Sequence, residues 1–319
     1  MVAASGEPYL SRNADEPDIA HWLIEHEGIR AFVHVPIKLG PRLFGVLTAA
    51  GTERGSCDET TLARLSAFAP TAAGALANAL DFQRERRVAH ALTQGFVPGP
   101  PPRLEDFDVG LLYEPAGHAV GGGDLFGLWR MPSGDLAVLI GDVSGKGLEV
   151  AAASAMVRFF VEARTWDAMC PAEVLAQTNA LVTGRLPDVM FVPAFLAIID
   201  RETIRWCNAG HPRPVVLRAD GSELELRGTG LPLGVEEDGR YTEERAPFGP
   251  GDVLFGATDG LSEARRGGEQ FGVARLPALL AEHGRRLDPE ELVAAMRREA
   301  EAWAPELSDD IVILALRRK

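Results

Sequence analysis

The sequence predicts an α+β protein: a large layered domain rich in antiparallel sheet, preceded by a smaller α/β segment. Three observations predict it. After residue 103 the chain breaks into many short apolar runs separated by Gly, Pro and Asp. The helical patterns there come in pairs and do not alternate regularly with strands, which argues against a βαβ series. A stretch reading Pro98-Gly99-Pro100-Pro101-Pro102 divides this region from what precedes it.

The elements follow in order. In residues 31–38, Val33, Val35 and Ile37 share one face of an alternating strand. Leu39 to Arg42 turns the chain and 43–50 reads as the return strand. Ser56-Cys57-Asp58-Glu59 has capping-box spacing. It precedes a helix on which Leu62, Leu65, Ala69, Ala72, Leu76 and Ala79 recur at three–four spacing. Pro70 is expected to kink or interrupt that helix. The helical pattern continues to about residue 96, where the Pro-rich stretch stops it. Beyond it, strands are expected near 109–113, 125–130, 136–140, 191–199, 204–208, 214–218, 223–227, 252–257 and 311–316. Helices are expected at 148–163, 172–185, 272–283 and 289–303. The resulting division is 1–82, a linker at 83–102, and 103–319.

Composition narrows the function. The chain has 319 residues, 46% hydrophobic, too apolar for disorder and long enough for two domains. Lys plus Arg is 32 against 46 for Asp plus Glu, a net charge of −14. That disfavours nucleic acid and anionic lipid as partners and suits a protein that holds cations. Cys57, Cys170 and Cys207 are odd in number and far apart, so they read as buried thiols rather than a disulfide framework. The N-terminus lacks the pattern of a signal peptide, and the uncharged 65–80 stretch is too short to span a bilayer. The cytoplasm is the expected compartment.

Acids stand where apolar strands meet loops. Leu136 to Ile140 ends in Gly141-Asp142, and Val253 to Phe255 leads through Thr258 into Asp259-Gly260. Asp309-Asp310 precedes Ile311 to Leu316, and Asp124 follows three glycines. Asp at a strand end is ordinary turn chemistry taken singly. If the four strands are neighbours, their carboxylates converge, and a divalent cation relieves the repulsion. All-oxygen donors select Mg²⁺ or Mn²⁺ over zinc. Other motif readings fail: Gly141 to Gly147 has the wrong spacing for a phosphate loop, and His26-Glu27 lacks the second histidine of a zinc-protease helix.

Four segments in this order resemble the type 2C (PPM) metal-dependent serine/threonine phosphatases. They are similar above all to the bacterial branch named after SpoIIE and RsbU. The segments are Val120-Gly-Gly-Gly-Asp124-Leu-Phe, Gly141-Asp142-Val-Ser-Gly-Lys-Gly147, Asn208-Ala-Gly-His211-Pro212 and Thr258-Asp259-Gly-Leu-Ser-Glu263-Ala-Arg265, with Asp309-Asp310 completing the set. The resemblance covers about residues 87–319. It implies an αββα sandwich and hydrolysis of phosphoserine or phosphothreonine by a metal-bridging water, with two Mn²⁺ or Mg²⁺ ions. It implies that Asp142 bridges both ions with help from the Val143 carbonyl. Asp124 would hold one ion, and Asp259 and Asp309 the other side of the site. Asp309 is chosen over Asp310 because the family's ligand is the first of the pair. Asp142, Asp124 and Asp259 are thus the catalytic candidates, with Asn208 and His211 in the vicinity of the substrate. The two helices after Gly147 resemble the branch's switch helices.

The sequence departs from that pattern. Gly127 stands where the family commonly has another Asp, Gly256-Ala257 replaces bulkier residues, and Ser144 replaces a histidine of eukaryotic relatives. A neutral Ser is a poor general acid, so water, His118 or His211 is left to protonate the leaving group. The region 19–82 resembles the second half of a GAF sensor domain, a fragment with an incomplete ligand pocket. Its exit helix, 59–96, is a candidate dimer stem. The expected substrate is a phosphorylated protein of the anti-anti-sigma type. The alternative is a catalytically weak phosphatase-fold regulator that binds a signalling partner.

Overall fold

The computed structural model describes residues 2–12, 28–93, 104–115, 122–145, 147–167, 169–187, 189–228, 230–266, 269–304 and 309–319. They form two compact units, 1–88 and 89–319. The Pro-rich boundary at 98–102, His118 and His26-Glu27 lie outside the described residues.

In the first unit a short helix α1 (Val2–Ser5) precedes β1 (Tyr9–Ser11), β2 (Ala31–Leu39) and β3 (Arg42–Gly51), an antiparallel sheet in that order. Ala31, Val33 and Val35 are buried with Cys57 and Ala69 as a small core. The long helix α2 (Glu59–Thr93) starts differently from the sequence expectation. Asp58, not Ser56, caps it: its Oδ1 accepts the Thr61 amide at 2.8 Å and the Thr61 hydroxyl at 2.9 Å. The Ser56 hydroxyl is turned back to the Glu53 carbonyl. Pro70 lies within α2 without ending it. It is exposed, so the carbonyl it leaves unpaired can face water.

The second unit has four layers. One sheet has the order β10-β9-β12-β15-β4, the other β11-β8-β7-β6-β5, and the named pairs within both are antiparallel. The first contains β4 (Phe107–Glu114), β9 (Val215–Leu217), β10 (Glu223–Glu225), β12 (Val253–Ala257) and β15 (Ile311–Arg318). The second contains β5 (Leu125–Arg130), β6 (Leu136–Gly141), β7 (Ala194–Ile199), β8 (Thr203–Ala209) and β11 (Glu244–Pro247). The edge strand β11 has no counterpart among the predicted strands because its exposed, charged residues carry no apolar pattern.

Period-two alternation builds the layers. Leu136, Val138 and Ile140 of β6 join Val312, Leu314 and Leu316 of β15 in the core between the sheets. Ala137 and Leu139 face the opposite way, into a core shared with α3 (Leu148–Thr165) and α4 (Pro171–Val182). Ile311, Ile313 and Ala315 face a third core with α6 (Gly272–His283) and α7 (Pro289–Trp303). A one-turn helix α5 (Asp259–Ser262) and a small ribbon, β13 (Arg265–Arg266) with β14 (Glu269–Gln270), complete the described elements. Strands buried on both faces read as continuous apolar runs, which is why β6, β12 and β15 are plain in the sequence.

Helix α7 lies close on β4. Asp288 caps it by accepting the Glu291 amide at 2.8 Å, and Pro289 opens the first turn. A Cβ at Gly110 would stand 1.9 Å from the Pro289 carbonyl oxygen. Gly110→Ala should therefore force α7 off the sheet and cost about 3 kcal/mol of stability, measured by urea denaturation. An unchanged midpoint would mean that this contact does not constrain the packing.

Candidate metal-dependent active site

The strand order brings one end of each sheet to the same edge. In one sheet, Gly141 at the end of β6 pairs with Leu125 at the start of β5 and Ala194 at the start of β7. This puts Asp124 and Asp142 side by side. In the other, the end of β12 pairs with the start of β15, and Ile311 pairs with Glu114 at the end of β4. This puts Thr258 and Asp259 beside Asp309 and Asp310.

Side-chain hydrogen bonds join these edges. The Thr258 hydroxyl donates to Asp124 Oδ2 at 2.7 Å and accepts the Val312 amide at 2.9 Å. The Gly123 amide donates to Asp310 Oδ2 at 2.8 Å. The loop carrying Asp124 is glycine because nothing else fits. A Cβ at Gly122 would stand 1.8 Å from Asp310 Oδ2, and one at Gly123 would stand 2.4 Å from the Val143 carbonyl oxygen and 2.6 Å from Asp142 Oδ1. The Val143 amide also donates to the Gly123 carbonyl at 3.0 Å. Helix α3 supports the loop, with the Ser154 hydroxyl on the Asp124 carbonyl at 3.3 Å.

Burial and mutual repulsion govern the charges here. Burial, with further push from Asp142, Asp310 and Asp259, raises the Asp124 carboxyl to about 9 against the pull of the Thr258 hydrogen bond. Burial, then Asp259, Asp309 and Asp310, raises Asp142 to about 7. Asp259 is raised by burial and by Asp309 and Glu263. These are carboxylates that need a cation to ionise together. Among the described residues no three His, Cys, Asp or Glu side chains are placed so that together they could hold a metal ion. The donors nonetheless fit a hard divalent ion: they are all oxygens, and the Val143 carbonyl and Asp142 Oδ1 both lie against Gly123.

The two terminal acids differ. Asp310 is buried and bonded to Gly123, whereas Asp309 is exposed and its Oδ1 accepts the Asp310 amide at 2.9 Å. The sequence alone points to no role for Asp310, Thr258 or Tyr113. Tyr113 lies on β4, and its hydroxyl accepts the Gly122 amide at 3.2 Å. Burial, then Asp310 and Asp124, raises its phenol against that bond. Thr258 was visible only as the residue before Asp259, and Tyr113 carries no local signal.

Asn208 and His211 sit at the same end of the second sheet, where Gly210 bridges Ala194. Asn208 Oδ1 accepts the His211 amide at 2.9 Å, so the pair shapes a turn. His211 is buried, and burial lowers its imidazole to about 4. Its Nδ1 is 2.7 Å from the Pro212 carbonyl, which can only accept, so the neutral ring keeps its proton there. Nε2 is buried without a hydrogen-bond partner. His211 is therefore no proton donor at neutral pH, which corrects that part of the sequence reading. The Ser144 hydroxyl accepts the Phe191 amide at 2.9 Å. Gly127 has a steric reason: a Cβ there would stand 2.2 Å from the Trp129 ring, whose indole N–H donates to Thr165 at 2.9 Å.

A cleft of about 570 Å³ opens at the other end of the sandwich, near Arg130, Asp135 and Arg318. Two of its three arginines are already engaged, Arg130 with Asp106 and Arg318 with the Asp200 and Phe248 carbonyls. It does not compete with the acidic edge as the site of chemistry.

The geometry separates Asp309 from Asp310 by experiment. Asp310→Ala should lower the melting temperature by several degrees, since it strips the Gly123 amide of its partner and leaves a void. Asp309→Asn should leave the metal-free melting temperature within about a degree while weakening the stabilisation by Mn²⁺. Thermal melts with and without Mn²⁺ distinguish them, and the reverse order would refute the assignment.

The comparisons agree with this architecture. The family model described as Stage II sporulation protein E (SpoIIE) matches residues 132–319, and a GAF domain model matches 1–77. The phosphoserine phosphatase RsbU of Bacillus subtilis is 24% identical over 242 residues, covering 75% of this chain and 71% of RsbU. Protein IcfG of Synechocystis sp. is 26% identical over 223 residues, 61% of this chain but only 34% of IcfG. The chain thus spans about a third of that relative. Among solved structures, the RsbU and RsbW domains of a Mycobacterium tuberculosis protein align with a TM-score of 0.60 at 25% identity, over 68% of this chain and 61% of that one. The PP2C phosphatase domain of SpoIIE from Bacillus subtilis aligns at 0.56 and 16% identity, over 66% and 62%. The αββα sandwich is the PP2C-type fold, and with more than half of its length under the one model the chain belongs to the SpoIIE family.

Proposed function

We propose that the chain is a metal-dependent phosphatase that hydrolyses phosphoserine or phosphothreonine on a protein, with Mn²⁺ or Mg²⁺ as cofactor. The observation that carries this reading is the gathering of Asp124, Asp142, Asp259 and Asp309 where two sheet edges meet. The printed names of relatives support it: RsbU is a phosphoserine phosphatase, and a structure of similar fold, RsbX, is described in complex with magnesium.

In this reading Asp142, the Val143 carbonyl, Asp124, Asp259 and Asp309 would hold the ions. When bound, the ions would lower the pKa of a water so that, once it has lost a proton to solvent, it can attack phosphorus, and would offset the charge on the phosphate. The chain does the rest. Thr258 fixes the Asp124 carboxyl, and Asp310 holds the glycine loop in place. Helices α3 and α4 resemble the switch helices of the branch, and the Ser154 bond gives α3 a direct hold on the Asp124 loop. The substrate we favour is a phosphorylated anti-anti-sigma-type protein. The three free cysteines suit a reducing cytoplasm, and no described helix is long and apolar enough to cross a membrane. The second reading, a catalytically weak regulator, draws on Gly127, where Trp129 occupies the space a further acid would need.

We also infer that α2 pairs with α2 of a second copy. It exposes Phe68, Leu76, Leu80 and Phe82, two of them by more than half. Phe68→Glu with Phe82→Glu should convert a dimer to a monomer in sedimentation, and a wild-type monomer at micromolar concentration removes the idea.

Hydrolysis of p-nitrophenyl phosphate tests the catalytic reading. Activity should require Mn²⁺ or Mg²⁺, and Asp142→Asn should lower it by more than about 100-fold. Folded protein without metal-dependent turnover would favour the regulator. Ligand protons must leave before the ions bind. With Asp142 near 7 and Asp124 near 9 in the metal-free protein, Mn²⁺ affinity should rise at least about tenfold from pH 6 to pH 8. Calorimetry should record protons released on binding. A pH-independent affinity would mean that these carboxyls are not the ligands.

A further inference from the structure

An exposed apolar surface stands beside the acids. Residues 191–193 continue the β6–β7 pairing beyond β7: the Asp142 amide donates to the Pro193 carbonyl at 3.0 Å and the Ser144 amide to the Phe191 carbonyl at 3.0 Å. Val192 then bridges Leu233 through two bonds of 2.9 Å. Met190, Val192 and Leu233 are buried in the core under α3 and α4. Their neighbours are not. Val189 is 85% exposed, Phe191 40%, Leu231 50% and Val235 52%. Single exposed apolar residues are ordinary, but four within three residues of one bridge form a patch.

The patch is held in shape. Asn179 of α4 is buried, and its amide donates to the Glu236 carbonyl at 2.8 Å and the Glu237 carbonyl at 3.0 Å. Its Oδ1 accepts the Gly234 amide at 2.8 Å. Three bonds from one buried side chain fix the 234–237 turn to the helix. A preformed surface loses little entropy on binding. Beyond Val235 the chain exposes three acids in a row, Glu236, Glu237 and Asp238.

We propose that this surface docks the folded phosphoprotein substrate, an apolar face of which seats on Val189, Phe191, Leu231 and Val235 while a basic flank meets Glu236, Glu237 and Asp238. The inference rests on the phosphatase reading and specifies how that site selects its substrate. Position decides the occupant. The Phe191 carbonyl accepts the Ser144 amide, and Ser144 is two residues along the chain from Asp142. A macromolecule that delivers a phosphate to Asp142 covers this patch in doing so. Charge argues against a second copy of the chain, which carries −14 overall and would set this acidic run against another acidic surface.

The test compares three substrates on the full chain with Mn²⁺: p-nitrophenyl phosphate, a phosphoserine peptide, and the folded phosphorylated anti-anti-sigma-type protein from which the peptide is taken. Val189→Asp and, independently, Val235→Asp should lower kcat/KM on the phosphoprotein tenfold or more, through KM. Both should leave the peptide and p-nitrophenyl phosphate within twofold. Glu236→Lys with Glu237→Lys should weaken the phosphoprotein alone in the same way. If wild type does not prefer the phosphoprotein to its peptide, or if the patch variants lower all three substrates alike or none, the docking surface is refuted while the phosphatase stands. If wild type hydrolyses none of the three, the phosphatase reading falls and takes this inference with it.

Discussion

One hydroxyl joins the two sheets at the end where the acids gather. Thr258 gives its proton to Asp124 and takes the amide of Val312. Asp124 leads one sheet and Val312 belongs to the other, so the bond sets how the two edges meet. A threonine suits the place because its oxygen can donate and accept at once and its side chain is short enough to remain buried. Loss of the hydroxyl would strand a buried carboxyl and a buried amide together, each at a cost of about 1–3 kcal/mol.

That junction holds together groups that repel. Burial alone favours neutral Asp124, and the neighbouring acids add to it. Keeping these acids ionised together is costly to the fold, because each carboxylate raises the others. This is the usual relation between a strained cluster and an active site. The glycines follow from the same crowding, because Asp310, Asp142 and the Val143 carbonyl occupy the space where side chains at 122 and 123 would go.

The strands were legible because both faces of each central strand are buried, which leaves an unbroken apolar run, and the acids at their ends were legible because each follows or precedes such a run. Less could be read where long-range partners decide. Asp309 and Asp310 are identical residues side by side, and in the structure burial and the Gly123 amide, 187 positions away in the chain, tell them apart. Gly127 looked like a missing acid until Trp129 was seen against it. His211 stood beside water and His118 as a proton source in the sequence, and its burial is a tertiary property. Pro70 did not break α2, and Asp58 took the cap that the Ser56 spacing had offered.

By itself the sequence determined the period of each buried strand, the acids at their ends and the family motifs they belong to, since these rest on residues near one another in the chain. The tertiary structure alone decided which of the two terminal acids is buried against Gly123 and which is exposed, which hydroxyls join the sheet edges, and which apolar side chains stay exposed around Val192 and Leu233. Those outcomes depend on hydrogen bonds and packing between elements far apart in the chain, and a carboxyl's charge and role are set by what is packed around it.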